Sequence, residues 1–164
     1  MPGSPRYLLD SNVIAKWFVQ EEDSEKAVEI RELFIKKRIH VSTISLARYE
    51  LGNVLWKHPS KSAEAVREDF ELLSEMSIPT LDIDDSQVLA RIFQTARNLG
   101  ITFYDASYLI AALVSRAVLV TADGKLLGKQ KGQNVSVLLH DWKSPARKIL
   151  RRARRGKIDR PSSH

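Results

Sequence analysis

A three-layer α/β/α fold with a central, mainly parallel sheet is what this sequence predicts, with a basic tail after it. Two observations carry the prediction. Short apolar runs alternate along the chain with segments of helical spacing, and alternation of this kind argues for a parallel sheet with helices on both faces. The length of 164 residues is that of one domain with a core of its own. No internal repeat or low-complexity linker interrupts the pattern. Composition shifts only near Asp141–Ser144, which divides the chain into a domain at 1–142 and a tail at 143–164.

The elements follow in order. Arg6–Asp10 reads as a short buried strand that ends in Asp-Ser-Asn, a turn or N-cap cluster. Asn12–Val19 reads as a short helix. Asp23 or Ser24 caps a helix to about Lys37, with Ala27, Ile30, Leu33 and Phe34 on one face. Ile39–Thr43 is a second strand. Ser45–Lys57 is a helix stopped near His58-Pro59, since the residue before proline avoids the helical region. Lys61–Met76 is another helix and Thr80–Ile83 a strand. Asp84 or Asp85 caps a helix that ends at Gly100. Thr102–Arg116 is a largely apolar helix. Val118–Thr121 and Val135–Leu139 complete the strands.

Composition excludes several chemistries. With no cysteine, disulfides, thiolate metal sites and a cysteine nucleophile are ruled out. No signal-peptide pattern opens the chain, and no apolar run approaches the roughly 20 residues that span a bilayer. The expectation is a soluble cytoplasmic protein with no membrane association. The net charge of +6 is unevenly placed. Nine Lys/Arg and one acid lie between Lys143 and His164, so the tail carries +8 and residues 1–142 carry −2. Basic character is the footprint of nucleic-acid binding. Here it points to the tail, through Arg147, Lys148, Arg151, Arg152, Arg154 and Arg155, as a contact for nucleic-acid phosphates.

Four acids stand beside or inside apolar segments. Asp10 ends Tyr7-Leu8-Leu9, Glu50 lies within Leu46–Trp56, Asp105 enters Ala106–Leu113, and Asp123 follows Val118–Ala122. A carboxylate among buried groups is costly unless it is paired, hydrogen-bonded or bound to a metal. Four that converge repel one another, and a divalent cation is the simplest group that holds them together. In open α/β sheets ligands gather at the carboxyl ends of the strands, where Asp10 and Asp123 fall. Asp105 sits in a first helical turn, where the helix dipole favours a carboxylate.

Each acid also has a plainer reading. Asp10 can cap the next helix. Asp105 fits a capping box with Thr102. Asp123-Gly124 is a common turn pair. Glu50 can belong to an exposed stripe with Arg48 or Asn53. The four histidines, His40, His58, His140 and His164, form no recognisable pair, which disfavours a histidine-based ribonuclease. An all-oxygen ligand set selects hard cations, Mg²⁺ or Mn²⁺. An aspartyl-phosphate phosphatase needs a second Asp where Asn12 stands, and a receiver needs an early acidic pair that is missing. A catalytically silent RNA-binding module remains as an alternative.

Leu8-Leu9-Asp10-Ser11-Asn12-Val13, an acid within Tyr49-Glu50-Leu51-Gly52-Asn53, then Phe103-Tyr104-Asp105-Ala106-Ser107-Tyr108 and Leu119-Val120-Thr121-Ala122-Asp123-Gly124 together resemble a PIN domain of the VapC toxin type. The resemblance covers roughly Tyr7 to Leu139. It implies a small α/β/α endoribonuclease using Mg²⁺ or Mn²⁺, usually dimeric and usually made with an antitoxin that blocks its acidic pocket. Carried over by position, it implies a catalytic and metal-binding set of Asp10, Glu50, Asp105 and Asp123, with Asn12 and Thr121 in supporting places. The basic tail departs from the pattern. It leaves open an RNA-processing PIN nuclease that works without an antitoxin.

Two apolar features complete the reading. Trp17 and Trp56 are expected in the core or at the edge of a groove. Val88, Leu89, Ile92, Phe93 and Ala96 share one helical face, expected first as core and second as a dimer surface.

Overall fold

A computed structural model describes residues 4–130 and 135–145. The tail positions from Arg147 onward lie outside the described residues. Five strands, β1 (Arg6–Leu9), β2 (His40–Ile44), β3 (Thr80–Leu81), β4 (Val118–Thr121) and β5 (Ser136–Leu138), form one sheet in the order β3-β2-β1-β4-β5. Every pairing is parallel. Parallel neighbours require a crossover between them, and helices supply it. The helices are α1 (Ser11–Ala15), α2 (Ser24–Ile35), α3 (Leu46–Lys57), α4 (Ala63–Glu75), α5 (Ser86–Leu99), α6 (Phe103–Ser115) and α7 (Gly124–Lys129). The result is the three-layer α/β/α arrangement that the alternation predicts.

The core follows from the pattern. Leu8, Leu9, Leu119 and Val120 on the two central strands are fully buried, as sheet positions covered on both faces must be. Helix α6 packs on β1, β2 and β4. Its residues from Ala106 through Ala112 are all buried, which explains why it is apolar on every side. Its start is held by a capping box, with Thr102 Oγ1 accepting from the Asp105 amide and Asp105 Oδ2 from the Thr102 amide. Gly100, with φ of +60°, ends α5 in the left-handed region that glycine adopts without steric cost. Ile92 and Ala96 of α5 form a smaller cluster with Ala106 and Ile110 of α6.

Several boundaries differ from the sequence reading. The first helix stops at Ala15 rather than Val19, because Trp17 turns inward and donates its indole N–H to the Ala27 carbonyl at 2.8 Å. The third strand is only Thr80–Leu81. Helix α7 has no counterpart in the sequence pattern, since Gly124 and Gly128 lower its propensity, yet Asp123 caps it. Asp23 precedes α2 in the left-handed region and makes no cap. Trp56 is 79% exposed and is not core. On α5, Ile92 is buried as expected, but Phe93 is exposed.

Candidate metal and nuclease site

The strand order reverses between β1 and β4. From β1 the chain builds outward to β2 and β3, and from β4 it builds the other way to β5. Where the order reverses, the connections leave in opposite directions and a crevice opens at the carboxyl ends. Asp10 follows β1 and Asp123 follows β4, so both flank that point.

Asp10 is the most constrained of the four acids. It is only 7% exposed. Its Oδ2 accepts from Thr121 Oγ1 at 2.6 Å and from Asn12 Nδ2 at 2.9 Å. Its Oδ1 has only longer contacts, from Ser11 Oγ at 3.3 Å and the Asn12 amide at 3.5 Å. Burial pushes its carboxyl up to about 6. The Glu50 charge pushes the same way, and hydrogen bonds from Thr121, Asn12 and Ser11 offset part of the rise. An acid that is buried and repelled by a second acid, yet supplied with hydrogen bonds that favour its charged form, has the environment of a cation ligand.

Thr121 and Asn12 tie the two strand ends together. Thr121 is fully buried. Its hydroxyl donates to Asp10 and accepts from Asn12 Nδ2 at 3.2 Å and the Asp123 amide at 3.0 Å, the full capacity of one hydroxyl. Asn12 Oδ1 accepts from the Ala122 amide at 2.9 Å. Both supporting residues expected from the sequence therefore lie in direct contact with Asp10.

The side chains of the other three acids make no bond to Asp10, Asn12 or Thr121 among the described residues. Glu50, on α3, is half-buried, and Tyr108 of α6 donates its hydroxyl to Glu50 Oε2 at 2.6 Å. Helix α3 packs on α1, which begins right after Asp10. Asp105 lies one turn before Tyr108 on α6, with Oδ2 engaged in the capping box. Asp123 Oδ1 caps α7 by accepting from the Lys125 and Leu126 amides. The plainer capping-box reading of Asp105 thus holds in the structure, whereas Asp123, read as a turn residue before Gly124, caps a helix there. Among the described residues, the group of three or more acids and histidines whose ligand atoms all come within 4.8 Å of one another is Glu22, Asp23 and His140, not the four acids. Within that trio Asp23 is half-buried and ion-paired, with Lys26 Nζ 3.1 Å and His140 Nδ1 3.2 Å from it.

The donor set nonetheless suits Mg²⁺ or Mn²⁺. Each of the four acids keeps one oxygen with no short hydrogen bond among the described residues: Asp10 Oδ1, Glu50 Oε1, Asp105 Oδ1 and Asp123 Oδ2. All are hard oxygen ligands. At Asp123, the one of the four that lines it, an open crevice of about 680 Å³ is bordered also by Asn12, Lys16, Glu21, Val54 and Lys125. Sequence reasoning missed the lysines and the role of Tyr108. A buried tyrosine needs a partner for its hydroxyl, and that was the available signal for Tyr108.

The PIN-domain family model matches residues 7–131, most of the chain and the whole of this site. The chain belongs to the PIN-domain family. Ribonuclease VapC3 of Pyrobaculum aerophilum is 32% identical over 127 residues, covering 76% of this chain and 94% of that protein. Exonuclease VapC9 of the same organism is 36% identical over 109 residues, covering 60% of this chain and 74% of that protein. The crystal structure of PAE2754 from that organism superimposes with a TM-score of 0.60 at 29% identity, covering 92% of this chain and 98% of the other. VapBC2 of Rickettsia felis, bound to a promoter DNA fragment, matches at a TM-score of 0.60 and 15% identity, over 84% of this chain and 99% of that one. The last likeness shows the shared fold. No helix among the described residues is long and apolar enough to cross a membrane.

Proposed function

We propose that this PIN-domain protein is a metal-dependent endoribonuclease acting through Asp10, Glu50, Asp105 and Asp123, and that it is a toxin neutralised by an antitoxin. The observation that carries the reading is Asp10, buried at the switch point of the sheet, facing the charge of Glu50 and held by Asn12 and Thr121. RNA as substrate is supported by VapC3, which is named a ribonuclease and is matched over 94% of its length. An antitoxin partner is supported by a toxin–antitoxin complex from Klebsiella pneumoniae, which shares the fold at a TM-score of 0.57 and 18% identity. Exposed Trp56, Tyr49 and Phe93 are available to such a partner or to a second copy in a homodimer. The tail basic residues, Arg147 to Arg155, are assigned to RNA phosphates on charge density alone.

The geometry divides the work among the residues. Asp10, Glu50, Asp105 and Asp123 would hold Mg²⁺ or Mn²⁺ through carboxylate oxygens, Asp10 giving up only its two long contacts at Oδ1. Bound there, such an ion supplies Lewis acidity at the phosphate and a water that ionises near neutral pH. Asn12 and Thr121 fix the Asp10 carboxylate and the Asp123 backbone in one rigid unit. Lys125 borders the crevice and offers positive charge to a polyanion that the carboxylates would repel, while Lys16 there is paired with Glu21 at 3.0 Å.

A second reading has a specific observation behind it, the exonuclease name of VapC9. Incubation with Mn²⁺ and matched linear and circular single-stranded RNAs separates the two. An endonuclease opens the circle, and an exonuclease degrades only the linear form. If neither RNA is cut, the silent RNA-binding alternative replaces both.

A further inference from the structure

The geometry points to Tyr108 as a positioning residue that aims Glu50 at the cation of the proposed site, an inference that rests on the metal-dependent reading above. Glu50 is mid-helix, half-buried and carried on a flexible side chain. The Asp10 and Glu50 charges repel each other, so an unrestrained Glu50 would rotate toward solvent. Among the described residues its one side-chain hydrogen bond comes from Tyr108, at 2.6 Å. That length lies in the range of hydrogen bonds strengthened by charge.

Tyr108 is built to be rigid. It is 2% exposed, in the middle of the buried run of α6, and that helix packs on β1, β2 and β4. That packing fixes the hydroxyl where it donates to Glu50. It engages Glu50 Oε2 and leaves Oε1 directed elsewhere. Asp105, one turn earlier on the same helix, shares this rigid support, so α6 would place one ligand directly and a second through Tyr108. A tyrosine kept only to fill the core would be satisfied by any acceptor. This one takes an acid from another helix, 58 residues away in sequence.

The test is a calorimetric Mn²⁺ titration of the full chain, of Tyr108→Phe, of Glu50→Gln, and of the double variant. Tyr108→Phe keeps the buried ring and removes only the hydroxyl. Groups that orient metal ligands are worth about 10- to 100-fold in metal affinity, and a loss of that size is expected. In the Glu50→Gln background Tyr108→Phe should add almost nothing, because the hydroxyl acts through that carboxylate. Far-UV circular dichroism in EDTA should show both single variants folded. Saturating Mn²⁺ should return the Tyr108→Phe cleavage rate toward that of the parent. Unchanged Mn²⁺ affinity in Tyr108→Phe overturns the inference, and so does an equal loss in both backgrounds. An unfolded Tyr108→Phe also overturns it, since the hydroxyl would then serve the fold. If the parent protein binds no Mn²⁺, the proposed function falls and takes this inference with it. If the parent binds and cleaves while Tyr108→Phe binds equally well, only the inference falls.

Discussion

Replacing Asp10 with Asn should stabilise the metal-free protein while abolishing cleavage. The Asp10 carboxyl is raised from 3.8 to about 6 by burial and by Glu50. A group whose folded value is raised contributes stability below its unfolded value and loses it as pH rises through the folded value. Ionised Asp10 is therefore a liability at neutral pH when no cation is present. At about 1.4 kcal/mol per unit, the liability is about 3 kcal/mol at pH 7.5 and roughly half that at pH 5. Asn fits the site. Its amide oxygen can take the Oδ2 place and accept from Thr121 and Asn12 Nδ2, and its NH₂ then faces Ser11 Oγ, which can accept, so that only the long 3.5 Å bond from the Asn12 amide is lost. Urea unfolding in EDTA at the two pH values measures the effect. The Asp10→Asn variant should exceed the parent by a few kcal/mol at pH 7.5 and by roughly half as much at pH 5. An equal difference at both pH values, or a variant that is weaker than the parent at pH 7.5, would refute the electrostatic reasoning. Mn²⁺ should narrow the gap at pH 7.5 by stabilising the parent more than the variant.

Three further outcomes are expected. Thr121→Val removes the shortest bond to Asp10 and the acceptor for the Asp123 amide. It should cost about 1.5–3 kcal/mol by thermal or urea unfolding, with the larger loss at pH 7.5, because Asp10 then ionises less readily. Cleavage should require Mg²⁺ or Mn²⁺ and be poorly supported by Ca²⁺, whose longer bonds and higher coordination misplace the reacting groups; undiminished cleavage in excess EDTA refutes this. Ending the chain after Pro145 spares the buried Trp142 and Ser144. It should weaken RNA binding and flatten its salt dependence by roughly 0.7–0.9 log units for each phosphate that is no longer neutralised, and an unchanged salt slope would free the tail for another role.

Much of this fold was legible because its signals are local. The apolar runs marked the four longer strands to within a residue or two, and Gly100 and the Thr102–Asp105 box marked the join of α5 to α6. What sequence could not supply was the direction in which side chains point. Trp17 and Trp56 read alike, yet one finds the Ala27 carbonyl in the core and the other stands on an exposed helix face. Helix α7 is hidden in the sequence because its six residues carry two glycines, and a cap from Asp123 outweighs that propensity. In the candidate site, Asn12 and Thr121 were legible from position. The link of Glu50 to Tyr108 was not, since it joins two helices that only the tertiary packing brings together. The sequence showed the capping box of Asp105 but not that Asp123 would have one oxygen engaged in capping α7.

The most direct test of the four-carboxylate site is a crystal of the protein soaked in Mn²⁺, with anomalous difference density collected near the manganese edge. One or two peaks within bonding distance of Asp10 Oδ1 and Glu50 Oε1, with Asp105 and Asp123 turned toward them, are the predicted result. A peak at Glu22, Asp23 and His140 with none at Asp10 would contradict the account.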